Sequence, residues 1–183
     1  MTKIAVVGSN PVFRECAPWA DRSWEIWACS AHNLPPHFDM PRLDRFYEVH
    51  IPALAPEDGR DRQYIDHVVK LSNDIPVFAM DRSILTKASP YPKERVVDFF
   101  GKYFIDTSSI AYIMAHAILE ILDRRVRGER DDLAILGVGQ KSASEYTYQR
   151  PGIQYFLSIA IHYGIDVVYP EESEIGRAIK YKF

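Results

Sequence analysis

The sequence predicts a three-layer α/β sandwich around a mostly parallel sheet of about six strands, on three observations. Short apolar runs alternate along the chain with segments of helical periodicity. Two of these runs, Ile4 to Val7 and Leu133 to Leu136, are apolar throughout, as strands buried on both faces are. Both leave through a glycine, Gly8 and Gly137. At 183 residues the chain is long enough for a sizeable core and is expected to form one domain, residues 1–183.

Each element has a local reason. Ile4 to Val7 is the first strand, ending in Gly8-Ser9-Asn10, and Pro11 then suits the first position of a helix because its missing N–H would have no partner there. Val12 to Ala20 is a short helix or an irregular turn, limited by Pro18. Trp24 to Cys29 reads as the second strand and Arg45 to His50 as the third, stopped by Pro52. Asp61 to Leu71 has helical character, and Pro76 to Met80 is a fourth short strand. Asp81 to Pro92, rich in Ser, Thr and Pro, reads as an irregular excursion, and Lys93 to Phe100 as a short helix after Pro92. The longest helix starts at the capping hydroxyls of Thr107-Ser108-Ser109, carries Ile110, Ile113, Met114, Ala117, Ile118, Ile121 and Leu122 at spacings of three and four, and stops near Gly128. Leu133 to Gly139 is a buried strand with a glycine exit, Ile153 to Tyr163 a helix stopped at Gly164, and Ile165 to Pro170 the last strand. No internal repeat or low-complexity segment interrupts this order.

Composition narrows the function. A net charge of −3 argues against general nucleic-acid binding, which needs an excess of Lys and Arg. The basic cluster Arg124-Arg125-Val126-Arg127 sits late in a helix, where cations complement the dipole. Cys16 and Cys29 have neither the number nor the spacing of a disulfide framework or a zinc site, so a reduced setting is expected. The opening apolar run is too short for a signal sequence and no run approaches a membrane span, which gives a cytoplasmic expectation with no membrane partner. No His-Glu-x-x-His, Gly-x-Ser-x-Gly or Walker pattern is present, and no metal site is expected.

In open α/β sheets ligands bind beyond the carboxyl ends of the strands, where the strand order reverses. The reversal is expected between the first strand and Leu133–Leu136. It would gather Gly8-Ser9-Asn10, Ser108-Ser109 and Gly137-Val138-Gly139 in one crevice. Free N–H groups and a helix dipole suit the first turn to a phosphate, although a tight turn needs the same small residues. Ser108 and Ser109 are helix caps and equally a clamp for an anion. Ser144 to Gly152 is the densest polar-aromatic run, at the rim of that crevice. Tyr146 and Tyr148 could stack on a base, Gln149 read its edge and Arg150 pair with phosphate, while Glu145 is a carboxylate for general-base work. A surface loop pinned by its tyrosines is the plainer alternative, and the exposed aromatics also suit a contact between copies of the chain. His116 and His162 lie beside apolar helix positions and read as packing residues. His32 and His50 each follow a strand on the ligand side, with Glu48 close to His50, and one of them is a candidate for catalysis or binding. Trp19, Trp24 and Trp27 read as core and sheet-face residues.

Three stretches together carry a resemblance: Lys3 to Pro11, Thr107-Ser108-Ser109-Ile110-Ala111-Tyr112-Ile113-Met114-Ala115, and Glu145-Tyr146-x-Tyr148-Gln149-Arg150-Pro151-Gly152. They resemble uncharacterised Rossmann-like proteins of phages and prophages over nearly the whole chain. More distantly, the layout is similar to bacterial sialyltransferases and to pterin-diphosphokinase-like folds. That resemblance implies a Rossmann-like domain with Ser9 and Asn10 at the phosphates of a nucleotide, Ser108 on the same ligand, and Gly137 and Val138 against its base or ribose. Gly139 stands where those families often carry aspartate, and the sialyltransferase histidine has no counterpart in Glu145–Gly152.

The expected function is binding of a nucleotide or nucleotide sugar by a transferase-like enzyme of phage or prophage origin, in the host cytoplasm if phage-encoded. Glu145 or His32 would be its acid/base, and no cofactor beyond that ligand is identified. Two alternatives stand beside it: a non-catalytic nucleotide sensor or sequestering protein, which the missing aspartate at Gly139 favours, and a phage interaction protein.

Overall fold

The structure, a computed structural model, describes residues 3–8, 10, 14–29, 40–50, 62–103, 105–128, 133–136, 144–173 and 175, with side chains described except for 62–63, 133–136 and 144–148. Among the described residues, seven strands form one sheet in the order β5-β4-β3-β2-β1-β6-β7, and every pairing is parallel. The strands are β1 (Lys3–Val7), β2 (Trp24–Cys29), β3 (Arg45–Glu48), β4 (Val77–Ala79), β5 (Ser89–Pro90), β6 (Leu133–Leu136) and β7 (Val167–Val168). The helices are α1 (Arg62–Asp74), α2 (Lys93–Phe100), α3 (Ser109–Val126) and α4 (Ser144–His162). The Rossmann-like α/β class and the reversal between β1 and β6 are as the sequence predicts. β5 is an addition: two residues, one a proline, sit at the sheet edge, where a missing N–H removes no ladder bond.

The period of two along each strand divides the core. Ile4, Val6, Trp27, Cys29 and Tyr47 face α2, α3 and α4. Ala5, Val7 and Ile26 face the other way with Ala17, and Ala28, Phe46, Val77 and Ala79 pack under Tyr64 and Val68 of α1. α3 is the central helix of its layer, so Ile110 through Leu119 are all buried except the half-buried Tyr112. Its ends are set locally. Ser108 is extended and its Oγ accepts the Ala111 N–H at 3.1 Å, and past the C-terminus Gly128 takes a positive φ of 85°.

α4 departs from expectation. The run Ser144 to Gly152 is not a surface loop but the first turns of α4, which continues through Pro151. Proline cannot make the ladder bond to the Thr147 carbonyl, a loss that normally ends a helix. Gly152, Ile153, Phe156, Leu157 and Ala160 are buried against the neighbouring helices, and that burial outweighs the local penalty. The helix ends where the sequence predicts. Gly164 has φ 64°, its N–H bonds the Ile161 carbonyl and the Ile165 N–H bonds that of Ala160, a Schellman closure. His162 is exposed on the last turn rather than packed, because it faces away from the layer that buries Ala160. His116 is a packing residue, buried among Trp27, Tyr47, Phe78 and Tyr91 with ring centroids 5.0 to 5.9 Å away.

Candidate functional site

Because every strand points the same way, Val7, Cys29, Glu48, Ala79 and Leu136 end at one edge, and the helices that return between strands start there. Contacts at both ends show it. Tyr64 in the first turn of α1 bonds Glu48, the last residue of β3. At the opposite edge, Glu120 and Arg124 late in α3 bond Arg45 and Glu25 at the starts of β3 and β2. Arg125 donates to the Tyr163 and Gly164 carbonyls at the end of α4, so two members of the basic cluster are structural.

At the carboxyl edge, Gly8 is buried directly after β1, and the Asn10 carbonyl accepts the Arg14 N–H at 2.9 Å. α3 packs on β1 and β2 and presents its start, Ser108 and Ser109, to that edge. Ser108 performs the capping role the sequence predicts; its hydroxyl hydrogen stays available for a further acceptor. The start of α4 rises beside α3 on the same side, placing Gln149 and Arg150, both half-buried, on its second turn. Gly8, Asn10, Ser108, Ser109, Gln149 and Arg150 thus lie toward one edge of the sheet. Ser9, His32, Gly137 and Val138 lie outside the described residues, as do the side chains of Glu145, Tyr146 and Tyr148, whose backbone is in the first turns of α4.

A second polar group occupies the same edge two strands away. Glu48 is 1% exposed, and its Oε1 accepts the His50 N–H at 2.9 Å and lies 2.8 Å from His50 Nδ1. Tyr64 donates its hydroxyl to Oε2. The nearness of Glu48 and His50 was legible in the sequence; Tyr64 was not, because the parallel β3–β4 pairing alone brings α1 back over β3. Burial and, after it, the Glu48 charge push the Cys29 thiol up to about 12, so Cys29 is no thiolate nucleophile. Among the described residues no group of three or more His, Cys, Asp or Glu is arranged to hold a metal ion, and no helix is long and apolar enough to cross a membrane.

No protein-family model and no curated protein matches the chain. Solved structures match it in fold. The sialyltransferase CstII from Campylobacter jejuni, in complex with the substrate analogue cytidine-5'-monophosphate, superposes with a TM-score of 0.54 and 11% identity, over 91% of this chain and 78% of that one. An α-2,3-sialyltransferase from Campylobacter jejuni in apo form gives 0.56 and 13%, over 94% and 77%. The likeness is one of fold: an α/β domain of the kind these sialyltransferases have.

Proposed function

We propose that this chain binds a nucleotide or nucleotide sugar at the carboxyl edge where β1 and β6 part, and that it is a transferase-like enzyme. The observation that carries the reading is the reversal of strand order between β1 and β6, with the starts of α3 and α4 on that same edge. The phosphates would lie on the Gly8–Asn10 turn and the Ser108–Ser109 helix start, where backbone N–H groups and the dipole favour anions. Gly137, Val138, Tyr146, Tyr148, Gln149 and Arg150 would hold the base or sugar. Glu145 and His32 are the acid/base candidates inherited from the sequence. The fold shared with a sialyltransferase that holds cytidine-5'-monophosphate supports this class of ligand. Phage origin rests on the sequence resemblance alone.

Thermal shift against cytidine-5'-monophosphate, other nucleoside mono-, di- and triphosphates and nucleotide sugars tests the site. A true ligand at a hundredfold excess over its Kd stabilises the fold by about 2.7 kcal/mol. Asn10→Ala and Ser108→Ala should each weaken that response, and unchanged affinity in both would remove the phosphate assignment. Gly139, in place of an aspartate, favours a second reading, a non-catalytic binder. Mass spectrometry separates the two: the binder returns every bound nucleotide unaltered. A flat panel would leave the phage interaction protein.

A further inference from the structure

A buried tyrosine hydroxyl most often donates to the backbone, as Tyr91 does to the Tyr112 carbonyl at 2.8 Å and Tyr155 to that of Phe100. Three other aromatic side chains are bonded instead to groups that can take a proton. The Trp27 Nε1–H donates to Glu25 Oε2 at 2.9 Å, the Tyr47 hydroxyl lies 2.9 Å from His116 Nδ1, and the Tyr112 hydroxyl donates to Asp106 Oδ1. Arg45, which can only donate, is also hydrogen-bonded to Tyr47, so the phenol oxygen accepts there and turns its hydrogen to the imidazole. Burial above all holds the His116 pKa down at about 4, which leaves the ring neutral with a lone pair to receive that hydrogen.

These rings stand in series. Their centroids are 5.7 Å apart from Trp27 to Tyr47, 6.4 Å from Tyr47 to Tyr91 and 5.3 Å from Tyr91 to Tyr112. Exposure rises along the series: Trp27, Tyr47 and Tyr91 are buried, Tyr112 in the first turn of α3 is half-buried, and Asp106 is exposed. Indoles and phenols give up one electron more readily than other ring side chains, and a phenol does so near neutral pH only where its proton leaves with the electron. The geometry points to a path that carries an oxidising equivalent out of the core, from Trp27 through Tyr47 and Tyr91 to Tyr112, with Glu25, His116 and Asp106 as the proton acceptors. The inference is independent of the nucleotide reading.

The steps balance. A strong one-electron oxidant, of the carbonate-radical class, takes an electron from Trp27, whose Nε1 proton passes to Glu25. Tyr47 then reduces the indole radical: the Trp27 proton returns from Glu25, and the Tyr47 hydroxyl proton moves to His116 Nδ1. Tyr112 reduces the Tyr47 phenoxyl through the Tyr91 ring; His116 gives its proton back, and that of Tyr112 goes to Asp106. Tyr91, whose hydroxyl meets only a carbonyl, is a bridge and not a stop. Arg45, 4.3 Å over the Trp27 ring, opposes positive charge there, while the Asp106 carboxylate favours oxidation at the outer end. A thiolate or ascorbate in solution returns the electron to Tyr112, and Asp106 returns the proton. Cys29 and Met114, oxidisable side chains of the same core, are thereby spared.

The test is photoionisation of the indoles in the full chain, with a cobalt(III) ammine as electron scavenger, a nitroso spin trap and peptide mass spectrometry. In the wild type the adduct should favour Tyr112 over Tyr103, although Tyr103 is 71% exposed. Asp106→Asn, a surface change that leaves no proton acceptor, should lower the Tyr112 adduct several-fold and raise oxidation of Trp27 in step, an effect a merely packed ring would not show. Trp27→Phe should remove the Tyr112 adduct while Trp19 and Trp24 are still ionised. An adduct that follows exposure, with Tyr103 above Tyr112, overturns the path, and so does a Tyr112 yield indifferent to Asp106→Asn.

Discussion

The two edges of the sheet handle buried charge in opposite ways. At the amino edge, Glu25, Arg45, Glu120 and Arg124 form a balanced network of two carboxylates and two guanidiniums, with N–O distances of 2.8 to 3.5 Å. Arg45 also lies 4.3 Å over the Trp27 ring. Burial alone would raise the Glu120 carboxyl, but the hydrogen bond and charge of Arg45, with His116 and Arg124, hold it below its ordinary value. At the carboxyl edge a single carboxylate, Glu48, is held by an imidazole and a phenol. Permanent cations lock the first group into one protonation state. The amino edge thus joins its elements through ion pairs, and the carboxyl edge through hydrogen bonds to one carboxylate.

Breaking the amino-edge network should have the largest effect. Removing one partner of a buried pair costs about 3 to 5 kcal/mol, and the partial solvent access of this edge brings the expected loss for Arg45→Ala to about 3 kcal/mol. Urea unfolding measures it, and nucleotide affinity at the far edge should not change. If affinity falls as well, the two edges are not independent.

His116 sharpens the comparison through pH. Burial first of all, and then the charges of Arg45 and Arg95 against Glu120 and Asp123, pull its pKa down to about 4. The unfolded chain, with an ordinary histidine, takes up this proton first. The neutral ring therefore contributes its full stability above the unfolded value and loses it as pH falls toward 4. Between pH 7 and pH 5 the wild type should lose about 2 kcal/mol more than His116→Asn, since each pH unit is worth about 1.4 kcal/mol. Equal slopes for the two proteins would mean that the ring accepts a proton where it lies.

Smaller effects belong to the carboxyl edge. Ser108→Ala should cost about 1 kcal/mol through the lost cap, and a drop in nucleotide response beyond that shift marks ligand contact. His50→Gln should change stability by less than about 0.5 kcal/mol, as half-exposed polar positions do. A larger loss would mean that the Glu48–His50 hydrogen bonds hold the fold.

Much of this frame was legible from local pattern. Trp24–Cys29 and Lys93–Phe100 have the bounds the sequence predicts, Ser108 caps as its hydroxyl suggests, and Gly128 and Gly164 stop their helices in the left-handed region. The reversal between β1 and β6 followed because both runs are apolar on every residue and so had to be central. Misreadings fell where local and tertiary terms oppose each other. Pro151 reads as a helix boundary until Ile153, Phe156 and Leu157 are seen to be buried, and Ser89–Pro90 has no strand pattern of its own.

The sequence by itself therefore determined the α/β class, the order of the main elements, and the reversal of strand order between β1 and β6. These depend on periodicity, capping and chain reversal, all of which act over a few residues. The tertiary structure alone decided that α4 runs unbroken through its proline, that Arg124 and Arg125 serve the fold, and that Tyr64 completes the cluster around Glu48. Each of those joins groups from different elements. What fixes them is the parallel register of the sheet and the need to satisfy every buried charge, and neither is written in any one stretch of the chain.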